Sequence, residues 1–353
     1  MTHDRARRAS ITRRDALTTL AAAGAGLAFT TWPLGRPFAA TTLTGVTYLP
    51  PSYEGLMWGM TGFVDRLNET GGGEVSVEFY DSGTLVKADE QVSALRSGTI
   101  DFMFHTSSYI TRSFEILGIT GLPGVVDDLH QNGERLAMGT PLYELINQEL
   151  AKDNLFMLSG GGGIFEPEYI WSGAQKVASL DDLSGKRVRV VGYEASTALE
   201  QFGVAPVRIP SSETYLALQR GTVDAVVANI STVIGRSLQE QLKYVYRLPT
   251  TAFAISIYLL KDRWDGLDEP TRQALLEAAK WYDENSASHV NNEIYPNKYW
   301  PTVQDAGVEV IEASDADLER FTESSQGIWE WWKEQVGEEV GQRAIDLALG
   351  KQA

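Results

Sequence analysis

The sequence predicts an α/β protein of two lobes, each a mixed sheet flanked by helices, with a long helix spanning the lobes. Three observations predict this. Strand and helix patterns alternate as strand, helix, strand, helix, strand over residues 41–105, and the same order returns over 186–229. The two passages share a phrase, ALRSGTIDF (94–102) and ALQRGTVDA (217–225), in which a helix stops at Gly and a hydrophobic residue and Asp follow. A helical pattern also runs from the start signal Asp268-Glu269-Pro270 to about Tyr295.

TTLTGVTYLPP (41–51) reads as a strand, and EGLMWGMTGFVDRLNET (54–70) as a helix ended by Gly71–Gly73. EVSVEFY (74–80) alternates with period two, DEQVSALRSG (89–98) is a short helix with a Gly stop, and IDFMFH (100–105) is a strand. LSGGGGIFEPEYIWSG (158–173) has four glycines but no following Gly-Lys-Ser/Thr, so a crossing between lobes fits better than a phosphate cradle. KRVRVV, STALEQFG, APVRIP, SETYLALQRG and VDAVVAN then alternate as strand, helix, strand, helix, strand. A second crossing is expected in LPTTAFAISIYLL (248–260). Two helices close the chain, with Trp329, Trp331 and Trp332 assigned to packing. Lobe I is expected over 41–162 and 251–292, lobe II over 163–250 and 293–353.

Composition narrows the chemistry. The 353 residues contain no cysteine and four histidines. Disulfides and a thiol nucleophile are excluded, and the histidines lack metal-ligand spacing, so neither metal nor cofactor is expected. There is no GxSxG and no His with an obvious orienting partner, and Asp127-Asp128 and Asp181-Asp182 read as caps or surface acids. An enzyme is therefore not expected.

Residues 1–40 read as an export signal cleaved near Ala39 or Ala40. Arg13-Arg14 precedes a 14-residue apolar stretch and a small-residue end, as in the twin-arginine type. No later stretch is long and apolar enough to span a bilayer, so direct membrane insertion is not expected. Residues 1–40 hold six arginines and two aspartates, so the rest of the chain is net −21, against −17 for the whole. So acidic a surface argues against nucleic-acid partners.

In DLSGKRVRVVG (182–192), Arg187 and Arg189 sit two apart on a strand otherwise made of Val. A guanidinium there is costly unless something pairs with it. A salt bridge to Asp181, Asp182 or Glu213 is one answer. An anionic ligand is the other.

The order and spacing of FYDSGTLVKADEQVSALRSGTIDF, LGITGLPGVVDD, SLDDLSGKRVRVVG and LALQRGTVDAV resemble the solute-binding proteins of tripartite ATP-independent periplasmic (TRAP) transporters. The resemblance covers nearly all of the chain after residue 40. It implies a periplasmic-binding-protein clamshell that closes on a small organic acid and delivers it to a small and a large membrane subunit. It places the family's carboxylate-binding Arg on Arg189, and gives Arg187 no ligand role. It puts the N-terminal polar contact near Tyr48, and brings Thr106 and Tyr109, with His105 adjacent, to positions where some members carry Glu and Arg. A second Arg of many members falls on Tyr169, so that cation is absent. The family's Asn falls one residue late, on Asn229, which reaches a ligand only if the chain has left its strand by then. The Glu-Trp pair of sodium-assisted members is missing, so no metal is implied. With one guanidinium and an aromatic lining drawn from Tyr48, Tyr109, Tyr169, Trp171, Tyr193 and Phe253, a monocarboxylate with a sizeable or partly apolar body is expected. Glu166 and Glu168 are expected as solvated loop residues, and a receptor for an ATP-driven importer or a sensor is the alternative.

Overall fold

Residues 41–351, which the computed structural model describes, place their strands in two mixed sheets. The expected export signal lies outside the described residues. In chain order the strands are β1 (Thr41–Thr47), β2 (Val75–Tyr80), β3 (Phe102–Thr106), β4 (Leu155–Ser159), β5 (Phe165–Ser172), β6 (Arg187–Val190), β7 (Ala205–Arg208), β8 (Ala225–Ala228), β9 (Tyr244–Phe253), β10 (Ile255–Leu260) and β11 (Glu309–Glu312). One sheet has the order β2-β1-β3-β10-β4, the other β11-β9-β5-β8-β6-β7.

The parallel trios β2-β1-β3 and β7-β6-β8 repeat one design, with the first strand of each central. The repeated sequence phrase has a physical reason. Asp101 Oδ2 accepts from Thr44 N of β1 at 2.8 Å, and Asp224 Oδ2 accepts from Arg187 N of β6 at 2.9 Å. Each Asp stands just before the third strand of its trio and ties it to the backbone of the central strand. Each also pairs with an arginine at 2.8 Å, Arg263 for Asp101 and Arg187 for Asp224.

The helix Glu269–His289 is capped by Asp268, whose Oδ1 accepts from Thr271 N at 2.8 Å. It continues through wider π-helical turns at Val290–Tyr299, around Pro296, into Trp300–Asp305. Pro296 has no N–H to give, which disfavours a regular α-turn there. Tyr282 of this helix meets Phe63 and Phe104 on the first sheet's side. Trp300 stacks on Trp171 of β5 at 5.8 Å. The helix therefore contacts both sheets.

The glycine run 160–163 carries the chain from β4 to β5. Gly162 has φ +71°, and a Cβ there would lie 1.8 Å from Asp283 O. Asp283 Oδ1 accepts from Ser159 Oγ at 2.6 Å and Gly162 N at 2.8 Å, and its Oδ2 from Met138 N at 3.2 Å. Burial raises the Asp283 pKa, and these donors pull it back. Gly162 thus serves close backbone approach to the long helix, while Gly161 and Gly163 make room for Ile255 O and Gly133. Trp329 and Trp332 donate to Pro123 O and Glu115 O, tying the helix Asp315–Val336 back to the segment after β3.

Candidate anion-binding site

β6 lies at the centre of its parallel trio, and Arg189 is its third residue, 1% exposed. Its Nε donates to Ile209 O at 2.9 Å and its Nη1 to Val227 O at 2.8 Å. Those carbonyls stand at the carboxyl ends of β7 and β8, the end of a parallel sheet where ligands bind. Among the described residues, Arg189 makes no ion pair, and its Nη2 makes no hydrogen bond. Asp181 is held by Arg320, and Asp182 accepts from Ala178 N and Ser179 Oγ. Arg187, at the start of the strand, turns to Asp224 in a bidentate pair, with Nε–Oδ2 3.1 Å and Nη2–Oδ1 2.8 Å. The two cations of RVRV have separate fates.

The carboxyl ends of β1 and β3 supply a facing wall. Tyr48 follows β1, His105 and Thr106 end β3, and Tyr109 lies in the next turn. Ring centroids lie 5.3 Å apart for Tyr48–His105, 5.1 Å for Tyr48–Tyr109 and 5.5 Å for His105–Tyr109. The Tyr48 hydroxyl and Thr106 Oγ1 share a hydrogen bond at 2.5 Å. The wall touches the second sheet's loops. Ser211 N donates to the Tyr109 hydroxyl and Arg208 Nη2 to Tyr109 O, both at 2.8 Å. Burial raises the Tyr109 pKa, and nearby Arg189 opposes that rise.

Several buried polar atoms here have no partner among the described residues: both ring nitrogens of His105, the hydroxyls of Tyr53 and Ser108, and Nε of Arg236. Burial lowers the His105 pKa to about 3, so its ring is neutral. An unsatisfied buried group costs about 1–3 kcal/mol. Such groups are rare, and several beside an unpaired guanidinium mark a place for a polar ligand.

Arg236 was not singled out by sequence reasoning. It follows the short helix Ile230–Gly235 and lies 5.4 Å over the Tyr53 ring. Its Nη2 makes only long contacts, 3.3 Å to Ser211 Oγ and 3.5 Å to Tyr48 O. No signal in the sequence marks it, since Glu240 four residues on reads as an ordinary neighbouring partner.

The other expected residues lie elsewhere. Tyr169 and Trp171 pack on the long helix. The Tyr169 ring lies 5.1 Å below Arg247, and Trp171 donates Nε1–H to Ala228 O at 2.8 Å. Asn229 has left β8, but its side chain is spent as a helix cap. Its Oδ1 accepts from Ser231 N at 2.7 Å and the Tyr295 hydroxyl at 2.8 Å, and its Nδ2 donates to Glu166 O at 2.5 Å. Phe253 packs on Phe165 at 5.9 Å. Tyr193 is 49% exposed beside Trp331. The structure thus gathers Arg189, Tyr48, His105, Thr106 and Tyr109, and adds Arg236.

The expectation of solvated glutamates is corrected, because both lie on β5. Glu166 accepts from Arg247 Nη2 and Trp300 Nε1, each at 2.8 Å. Glu168 is 4% exposed, and burial raises its pKa from 4.5 to about 7 against the pull of Arg189. The folded chain therefore keeps a proton that the unfolded chain releases between pH 4.5 and about 7. This group's contribution to stability is full below pH 4.5 and is lost as pH rises through about 7, by at most about 3 kcal/mol. Glu168→Gln is expected to remove that fall, which chemical denaturation of both forms across the window will measure.

Residues 54–335 match the family described as "Bacterial extracellular solute-binding protein, family 7". A solute-binding protein of Albidiferax ferrireducens is 25% identical over 93% of this chain and 96% of its own length. The fold is that of DctP7, a Bordetella pertussis extracytoplasmic solute receptor binding pyroglutamic acid, at a TM-score of 0.77 and 20% identity, covering 88% of this chain and 99% of that one. A TRAP solute-binding protein from Rhodoferax ferrireducens with bound malonate superposes at a TM-score of 0.74 and 20% identity, covering 87% and 97%. The chain belongs to family 7 of the bacterial extracellular solute-binding proteins, the solute receptors of TRAP transporters.

Proposed function

We propose that this receptor works in the periplasm and captures a small monocarboxylate with a sizeable or partly apolar body, which it delivers to a small and a large membrane subunit. The observation that carries the ligand class is Arg189: buried, steered by two carbonyls, and without a carboxylate partner among the described residues. A guanidinium keeps its charge at any physiological pH and presents a fork that matches a carboxylate. Neutral His105 and the Tyr48–Tyr109 wall receive the ligand's body and hydrogen-bond its polar groups.

Capture proceeds by closure. The bonds from Ser211 N and Arg208 to Tyr109, from Ser52 Oγ to Gly235 O and from Thr111 Oγ1 to Glu194 join segments of the two sheets. A ligand that touches both sides stabilises this arrangement by its differential affinity. Family membership makes the chain a receptor and not an enzyme.

Arg236 favours a second reading, a diacid whose far carboxylate meets this cation. Calorimetric titration with pyroglutamate, other monoacids and malonate separates the two. Monoacids are expected to bind best. A clear preference for diacids that is lost in Arg236→Gln selects the second reading.

A further inference from the structure

Beside the Arg189 site, and sharing Tyr109 with it, lies a cavity of about 510 Å³ lined by Arg96, Arg112 and Arg208, with Asp89 and Ile209 also in its wall. The arginines come from three segments: the end of the helix Gln91–Arg96, the turn after Tyr109, and the end of β7. Among the described residues, none of the three is in an ion pair. Arg135, Arg187, Arg247, Arg263, Arg272 and Arg320 all are. Other described arginines, such as Arg66 and Arg220, are also outside ion pairs, and Glu194 lies near enough to Arg208 to feel its charge; what sets these three guanidiniums apart is that they line one cavity with a single carboxylate, Asp89. Arg96 rests over Phe114 at 5.8 Å, and Arg208 is held by its bond to Tyr109 O. The cavity shares its wall with the deeper site, since Ile209 O accepts from Arg189 and the Tyr109 ring joins the aromatic wall.

We propose that this cavity is an anion-capture site, which holds the oxyanion of an organic acid at the cleft before it reaches Arg189. A concave patch of one charge focuses its field and raises the local concentration of counter-ions, the more usefully when the surrounding surface repels them. Guanidiniums suit an oxyanion held in transit because they bind it through directional donors yet remain exposed to water.

The inference rests on the organic-acid reading above, and the test separates the two. Inorganic phosphate and malonate are titrated into Arg189→Ala, or Arg189→Lys should the first not fold, at low and high NaCl. The same titration is run with Arg96→Gln and Arg112→Gln added. Arg208 is left in place because it supports Tyr109. Both anions are expected to bind the Arg189 variant weakly and with strong salt dependence, and to lose about tenfold or more in affinity when the two glutamines are added. Absence of binding, or binding that the two glutamines leave unchanged, overturns the proposal. Phosphate binding without malonate binding makes the cavity a site for inorganic ions and overturns the capture role. Wild-type affinity for an organic acid retained in the Arg189 variant refutes the deeper site instead.

Discussion

Arg189→Ala is expected to weaken ligand binding by two to four orders of magnitude. Two charge-assisted bonds from one guanidinium to one carboxylate are worth about 3–6 kcal/mol, and the aromatic wall cannot replace them. The substitution also strips a donor from Ile209 O and from Val227 O, so a stability loss of about 2–4 kcal/mol accompanies it. Arg189→Lys retains the charge but not the fork, and is expected to bind more weakly than wild type and better than Ala. Calorimetry gives the affinities, and thermal unfolding of the ligand-free variants separates the stability loss from the binding loss.

Gly162→Ala is expected to be among the most destabilising single substitutions in the chain, at about 3–5 kcal/mol. At φ +71° an L side chain is strained, and its Cβ would lie 1.8 Å from a backbone oxygen that no rotamer change can move. The displaced partner is Asp283, whose carboxylate also holds Ser159 and Met138. The lesion therefore spreads to the β4–β5 crossing and the long helix together. Denaturant unfolding checks the magnitude. A loss below about 1 kcal/mol would mean that the crossing relaxes without cost.

Local chemistry was the legible part of this protein. The alternation of strand and helix and the repeated Gly-hydrophobic-Asp phrase gave two sheets of similar design, because Asp101 and Asp224 perform the same task, each just before the third strand of its trio. Arg189 was legible as a cation out of place among valines. What failed was inference by spacing across irregular backbone. β5 shifts register against β9 between Phe165 and Glu168 and again between Glu168 and Ile170. Counting along the chain therefore cannot say which of its side chains face Arg189. Tyr169 and Trp171 went to the long helix, and Glu168 was buried near Arg189 instead. Arg236 was hidden for another reason. It meets Tyr48 across 188 positions, and no local pattern encodes such a contact. The glycine run read as a crossing between lobes, with no sign that Gly162 must make room for the backbone of Asp283.

The most direct test of the central claim is the identity of the small molecule that accompanies the protein. The native protein and Arg189→Lys, purified side by side, are denatured, and the released compounds are identified by mass spectrometry. The account predicts a single small carboxylic acid from the native protein, depleted in the variant. A neutral or cationic compound, or the same acid released in equal amount from both, would contradict it.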